Sequence, residues 1–141
     1  MSAADLDLSS TLRISVTRLA RRLRSKRSDE SLSLTQLATL STLDRHGAMT
    51  PTALADHERV QPPSMTRVIA GLEQRQLVVR EPHPTDGRQV VIALTRDARL
   101  LVAEDRRRKE AWLGRQLAGL SSEERDVLRA AAPLLERLSL S

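Results

Sequence analysis

The sequence contains no cysteine, no phenylalanine and no tyrosine, and its one large aromatic side chain is Trp112. Without cysteine there can be no disulfide framework, thiolate metal site, iron–sulfur cluster or cysteine nucleophile. Without Phe and Tyr the core must be aliphatic, built from Leu, Val and Ala. Lysine is also scarce: Lys26 and Lys109 are the only two, so arginine supplies nearly all of the 23 basic residues. No apolar run approaches the ~18 to 20 residues that span a bilayer. The segment 1–10 carries Asp5 and Asp7 and lacks the basic start of a signal peptide. Internal repeats and low-complexity tracts are absent too.

What is present is ordinary in amount and informative in arrangement. The chain has 141 residues, is 40% hydrophobic and carries a net charge of +5 against 18 acidic residues. That length suits one domain, 1–141, with enough apolar content for a core. These properties lead us to expect a cytoplasmic protein with no membrane partner. A basic balance permits nucleic acid as a partner without establishing it. Between residues 33 and 99 acidic and basic residues nearly cancel, so DNA affinity there would rest on a few placed arginines.

Periodicity organises the chain. Leu8, Leu12, Val16, Leu19 and Leu23 recur at helical spacing within 6–30, with Arg13, Arg18, Arg21, Arg22 and Arg24 off that face. Ser33 and Gln36 have the form of a capping box, opening a helix that should stop at Gly47. Thr50-Pro51 and Gln61-Pro62 are two further starts, each with proline at the first helical position. The second of these helices should bury Val68, Ile69 and Leu72 and end before Leu77. The period then becomes extended over 77–80 and 90–94, separated by a loop with Pro82, Pro84 and Asp86-Gly87. Thr95 opens a long helix. Ser121 with Glu124 opens the last, which Pro133 should kink or split.

The expected fold is therefore mainly α (α+β): a winged helix–turn–helix lobe at 33–95, flanked by helical regions 6–30 and 96–140. Such a lobe can set the first residues of its second helix in a DNA major groove and reach a minor groove with the hairpin tip. Leu54-Ala55, 60–69 with Thr66-Arg67, Leu72-Glu73 and Leu77-Val78 resemble the helix–turn–helix of the MarR (multiple antibiotic resistance regulator) family. Arg80, Asp86-Gly87-Arg88 and Leu94-Thr95 are similar to that family's wing.

The resemblance implies a homodimer joined through the terminal helices, binding double-stranded DNA at a near-palindromic site and acting as a regulator, with repression the expected sign. It also implies a small effector, phenolic or anionic and aromatic, bound between the dimer helices and the winged lobe. Physics and resemblance together nominate Gln61, Pro63, Ser64, Thr66, Arg67, Asp86 and Arg88 as the DNA-binding set. In it Asp86 orients an arginine and Arg88 enters the minor groove. Thr50 or Thr52 could meet a phosphate. Arg67 could equally sit in an internal ion pair, and Ser64 could bond its own backbone. Four positions depart from the family pattern: Glu58 for an apolar residue, and Arg59, Gln76 and Ala98 for glycine. The first three leave the helix boundaries at 57–61 and 74–77 open.

Other chemistry finds little support. His46, His57 and His83 are scattered, and only His57 has carboxylates beside it, so neither a metal nor a cofactor is expected. There is no phosphate-binding glycine loop and no nucleophile–base pair, which argues against an enzyme. The alternative function is a winged-helix module that binds protein. Trp112 is expected to pack at a subunit interface, and the run 106–109 to be a solvated face or to pair with Glu104, Asp105 and Glu110.

Overall fold

The computed structural model describes all 141 residues and contains six helices and one two-stranded sheet. The helices are α1 (Ala3–Arg24), α2 (Leu34–His46), α3 (Pro51–Glu58), α4 (Pro62–Gln74), α5 (Arg96–Ala118) and α6 (Ser122–Ser139). The strands β1 (Val78–Pro82) and β2 (Val90–Leu94) lie between α4 and α5. This is the winged helix–turn–helix arrangement. The chain divides into two compact units, 24–108 and the pair of segments 1–23 with 109–141.

Local chemistry explains the boundaries in the 24–108 unit. Ser33 Oγ accepts from Gln36 N while Gln36 Oε1 accepts from Ser33 N, so both ends of a capping box close. Gly47 ends α2 at φ 79°, a conformation open to glycine, and its N–H donates to Leu43 O. Thr50 Oγ1 accepts from Ala53 N at 3.1 Å and caps α3. Thr95 does two things. Its Oγ1 accepts from Ala98 N at the start of α5 and donates to Gln76 O, tying that helix to the end of α4.

The hairpin is antiparallel, with Val78 opposite Leu94 and Pro82 opposite Val90. Met49 joins it through a bridge to Ile92, whose N–H donates to Met49 O at 2.7 Å. The first strand runs two residues past the expected Arg80, because Pro82 sits at its end on an open edge where no ladder N–H is required. The core is aliphatic with one thioether. Leu40, Leu54, Met65, Ile69, Leu72 and Ile92 are fully buried, so α2, α3, α4 and the sheet close on one centre. Burial of each such side chain is worth roughly 1.5–3 kcal/mol.

One buried charge lies at the edge of this unit. Asp105, 4% exposed, accepts the backbone N–H of Ser28 at 3.0 Å. It is therefore not part of a solvated charge run. Its neighbour Arg106 reaches Asp44 of α2 at 2.6 Å, and Arg107 pairs with Glu104 one turn back.

The second unit holds α1, the end of α5 and α6. Ser2 caps α1, exchanging bonds with Asp5, and holds the Asp5 carboxyl below its ordinary range. Neither α1 nor α6 buries a single residue within the chain. Trp112 packs, as expected, and nearly all of its surface is already covered within one chain. It is 7% exposed within one chain, with the Arg22 guanidinium 5.0 Å from its ring centroid. Pro133 does not split α6, which is one helix across it. The proline removes a single N–H, and only the carbonyl of the exposed Arg129 loses a partner that water can replace.

Candidate nucleic-acid interface

Three residues separate α3 from α4. Arg59 turns the chain in the left-handed region at φ 55° and ψ 44°, and Val60 N–H donates back to Ala55 O at 3.0 Å. Gln76, after α4, is the other non-glycine residue at positive φ, 61°. Both stand where the family pattern has glycine. The left-handed geometry is kept, and each residue bears its steric cost. Glu58 is accommodated differently: its carboxylate accepts the hydroxyl of the buried Thr42, and His57 Nδ1 lies 3.6 Å away. The His46 and His57 rings are 5.1 Å apart between centroids, a pairing that their separation in sequence hides.

The start of α4 has an unusual hydrogen-bond inventory. Pro62 and Pro63 have no N–H, and Gln61 O accepts from both Ser64 N and Met65 N. The first turn is therefore satisfied without a side-chain cap, and the Gln61 amide makes no cap bond. The prolines also leave no free amides there to grip an anion, so recognition at this end must come from side chains.

The two faces of α4 are distinct. Met65, Ile69 and Leu72 are buried, and Pro63, Thr66, Arg67, Ala70 and Gln74 are exposed. The exposed set has the spacing of one helical face. Gln61, Pro63, Thr66 and Arg67 thus come together on the open side. Ser64 is half-buried to one side, and its hydroxyl bonds no backbone group. Thr66 Oγ1 donates to Pro62 O at 3.0 Å, which leaves it an acceptor. Arg67 is exposed and forms no ion pair, so its guanidinium is the free cation of this face.

The other arginines near α4 are engaged. Arg75 bonds Asp29 and Ser31, and Arg80 of β1 bonds Glu73 of α4 at 3.0 Å. The wing tip is ordered around Asp86. Its Oδ1 accepts the backbone N–H of Arg88 at 3.1 Å and the side-chain Nε at 3.4 Å, while Oδ2 accepts from Gln89 Nε2. The Arg88 N–H, then the Arg88 and Gln89 side chains, hold the Asp86 carboxyl below its ordinary range. Arg88 remains 93% exposed, with its two terminal nitrogens unbonded. Asp86 and Arg88 therefore form one unit, on a different element from Arg67. His83, which by sequence could approach a phosphate or stand exposed in the loop, is half-buried instead, and its ring nitrogen accepts two backbone hydrogens within this loop.

Residues 32–90, from just before α2 to the start of β2, match a family model described as the MarR family. An uncharacterized HTH-type transcriptional regulator of Mycobacterium leprae is 49% identical over 138 residues, 98% of this chain and 96% of the relative. The chain belongs to the MarR family of DNA-binding transcription regulators. A second relative, the HTH-type transcriptional repressor MdtR of Bacillus subtilis, is 30% identical over 68% of this chain and 61% of its own length. The structure of a MarR family protein from Bacillus stearothermophilus has the same fold. It superposes with a TM-score of 0.86 at 21% identity, over 100% of this chain and 99% of that one. This MarR protein has Arg59 and Gln76, not glycine, at the positive-φ positions before and after α4.

Proposed function

We propose that this MarR protein is a repressor that binds a near-palindromic operator as a homodimer. The observation that carries the reading is the pair of available guanidinium groups, Arg67 on the open face of α4 and Arg88 at the wing tip. In this reading Arg67 reads a guanine edge or a phosphate in the major groove, with Gln61, Pro63, Ser64 and Thr66 around it. Arg88, oriented by Asp86, enters the adjacent minor groove, where negative potential favours an arginine. The MdtR relationship supports repression as the sign.

The homodimer is supported by apolar surface with no partner within the chain. Leu6, Leu8, Val16 and Leu19 of α1 and Leu128, Leu134, Leu135 and Leu138 of α6 are all exposed. Leu12, Val16, Leu19, Leu135 and Leu138 line a groove of about 820 Å³ between these two helices. Surface of this kind marks an interface. A two-fold dimer presents its reading helices to half-sites roughly 34 Å apart. Tuning by a small aromatic or anionic effector belongs to the same proposal and rests on the family resemblance. Trp112 does not offer an open ring face for it, since Arg22 already covers it. No helix is long and apolar enough to cross a membrane, in keeping with action in the cytoplasm.

A mobility-shift titration tests the reading. With a duplex of the region upstream of its own coding sequence, at ~150 mM salt, binding should exceed that to random duplex by about a thousandfold or more. Equal affinity for the two would overturn sequence-specific regulation. Binding without salt dependence would point to a module that uses this face for protein.

A further inference from the structure

The wing contains a residue that the DNA-contact reading does not use. His83 is half-buried where β1 gives way to the loop. Its Nδ1 accepts the backbone N–H of Asp86 at 3.0 Å and that of Thr85 at 3.2 Å, with Thr85 Oγ1 at 3.4 Å. The His83 backbone N–H donates to Gln89 O, and Gln89 N–H to Asp86 O, each at 3.1 Å. The imidazole is thus the hub of the loop, and Asp86 is bonded on both sides. Its N–H is held by His83, and its carboxylate holds Arg88 and Gln89.

An imidazole nitrogen accepts only when it carries no proton. Two backbone donors on Nδ1 therefore leave the ring's hydrogen to Nε2. Gly87 is permissive, and Pro84, although it fixes its own φ, contributes no N–H to bond the loop. The hydrogen bonds to His83 are what tie the Thr85–Asp86 backbone to the end of β1.

We infer that His83 is a positioning residue for DNA binding: its Nδ1 acceptor fixes the backbone that carries Asp86, and through Asp86 the direction of Arg88. The inference rests on the reading of Arg88 as a DNA contact. A loop already held in its bound form loses less freedom on docking, so the gain appears as affinity. The required chemistry is an acceptor one bond beyond Cγ. Asparagine supplies it with Oδ1, and leucine has the bulk without the acceptor.

The test uses the full chain, the upstream duplex and four proteins: wild type, His83→Leu, His83→Asn and Arg88→Ala. Loss of two backbone bonds should raise the Kd of His83→Leu by about three- to tenfold, with the protein still folded and its thermal unfolding still cooperative. His83→Asn should stay within about twofold of wild type, because it restores the acceptor. Long-range proton–nitrogen spectra of the free protein near neutral pH should show the His83 proton on Nε2. The proposal is overturned by a proton on Nδ1, or by His83→Leu binding like wild type while Arg88→Ala weakens. A loss in His83→Asn as large as in His83→Leu also overturns it, since the ring itself would then be what matters. If Arg88→Ala binds like wild type, the DNA role of the wing arginine fails first, and the inference falls with it.

Discussion

Asp86 holds Arg88 twice, accepting both its backbone N–H at 3.1 Å and its side-chain Nε at 3.4 Å. A carboxylate beside DNA is unfavourable by charge alone, and this geometry gives it a reason to be there. Removing it should therefore weaken binding. We predict that Asp86→Ala raises the operator Kd by about three- to tenfold although the protein gains positive charge. Tighter binding in a mobility-shift titration would show that charge outweighs orientation.

The same contacts set a pH expectation. They depress the Asp86 carboxyl below its ordinary value of 3.8. A depressed carboxyl contributes its stabilisation above the unfolded value and loses it as pH falls through the folded one. Protonation of Asp86 should therefore not release the Asp86–Arg88 pair between pH 5 and 8. Amide exchange at Arg88 should show no protonation step of Asp86 in that interval.

Arg67 is exposed and forms no ion pair, so its substitution should separate recognition from folding. Arg67→Ala should leave stability within about 0.5 kcal/mol of wild type. Operator binding should fall by about 1–3 kcal/mol. If Arg67 reads a guanine, the loss is confined to one position of each half-site; if it meets a phosphate, the loss is uniform and the salt slope becomes shallower. Comparing preferred sequences of wild type and variant decides between these. An unchanged affinity removes Arg67 from the interface.

Gln76 offers a prediction about stability alone. It holds φ at 61°, and no bond from its side chain is needed there, since the contact from Thr95 goes to its backbone oxygen. Gln76→Gly should relieve the left-handed strain by more than glycine loses in chain entropy, a net gain of about 0.5–1 kcal/mol. Denaturant titration measures it. A net loss would mean that the turn is unstrained.

The local signals in the sequence carry the helix boundaries well. Ser33 with Gln36, Thr50-Pro51, Gln61-Pro62 and Ser121 with Glu124 each work within four residues, so their chemistry is complete in a short window. Arg59 and Gln76 stand out against the family pattern as missing glycines, and both are at positive φ. What the sequence hides is what folding brings together from afar. Asp105 reads as part of a charged run until Ser28 is seen donating to it. Glu58 reads as an unexplained departure until Thr42 is beside it. Arg75 and Arg80 look as available as Arg67 until Asp29 and Glu73 are found against them. Nothing near His83 in sequence says that its ring is an acceptor for backbone hydrogens.

The dimer proposal concerns the apolar groove of α1 and α6. Leu135 lines it and is exposed in the single chain. Leu135→Glu places a charge where a second copy would cover it, at a desolvation cost of several kcal/mol unless it is paired. We predict a monomer by sedimentation at concentrations where wild type is dimeric, with operator affinity reduced as one half-site is lost. A monomeric wild type would remove the basis for a palindromic site.

The central claim is sequence-specific binding by a two-fold dimer, and selection of bound duplexes from a random pool tests it most directly. We predict enrichment of one inverted repeat whose half-sites lie about one helical turn apart, roughly 34 Å centre to centre. Recovery of a pool with no common sequence, or of a single half-site without its inverted mate, would contradict it.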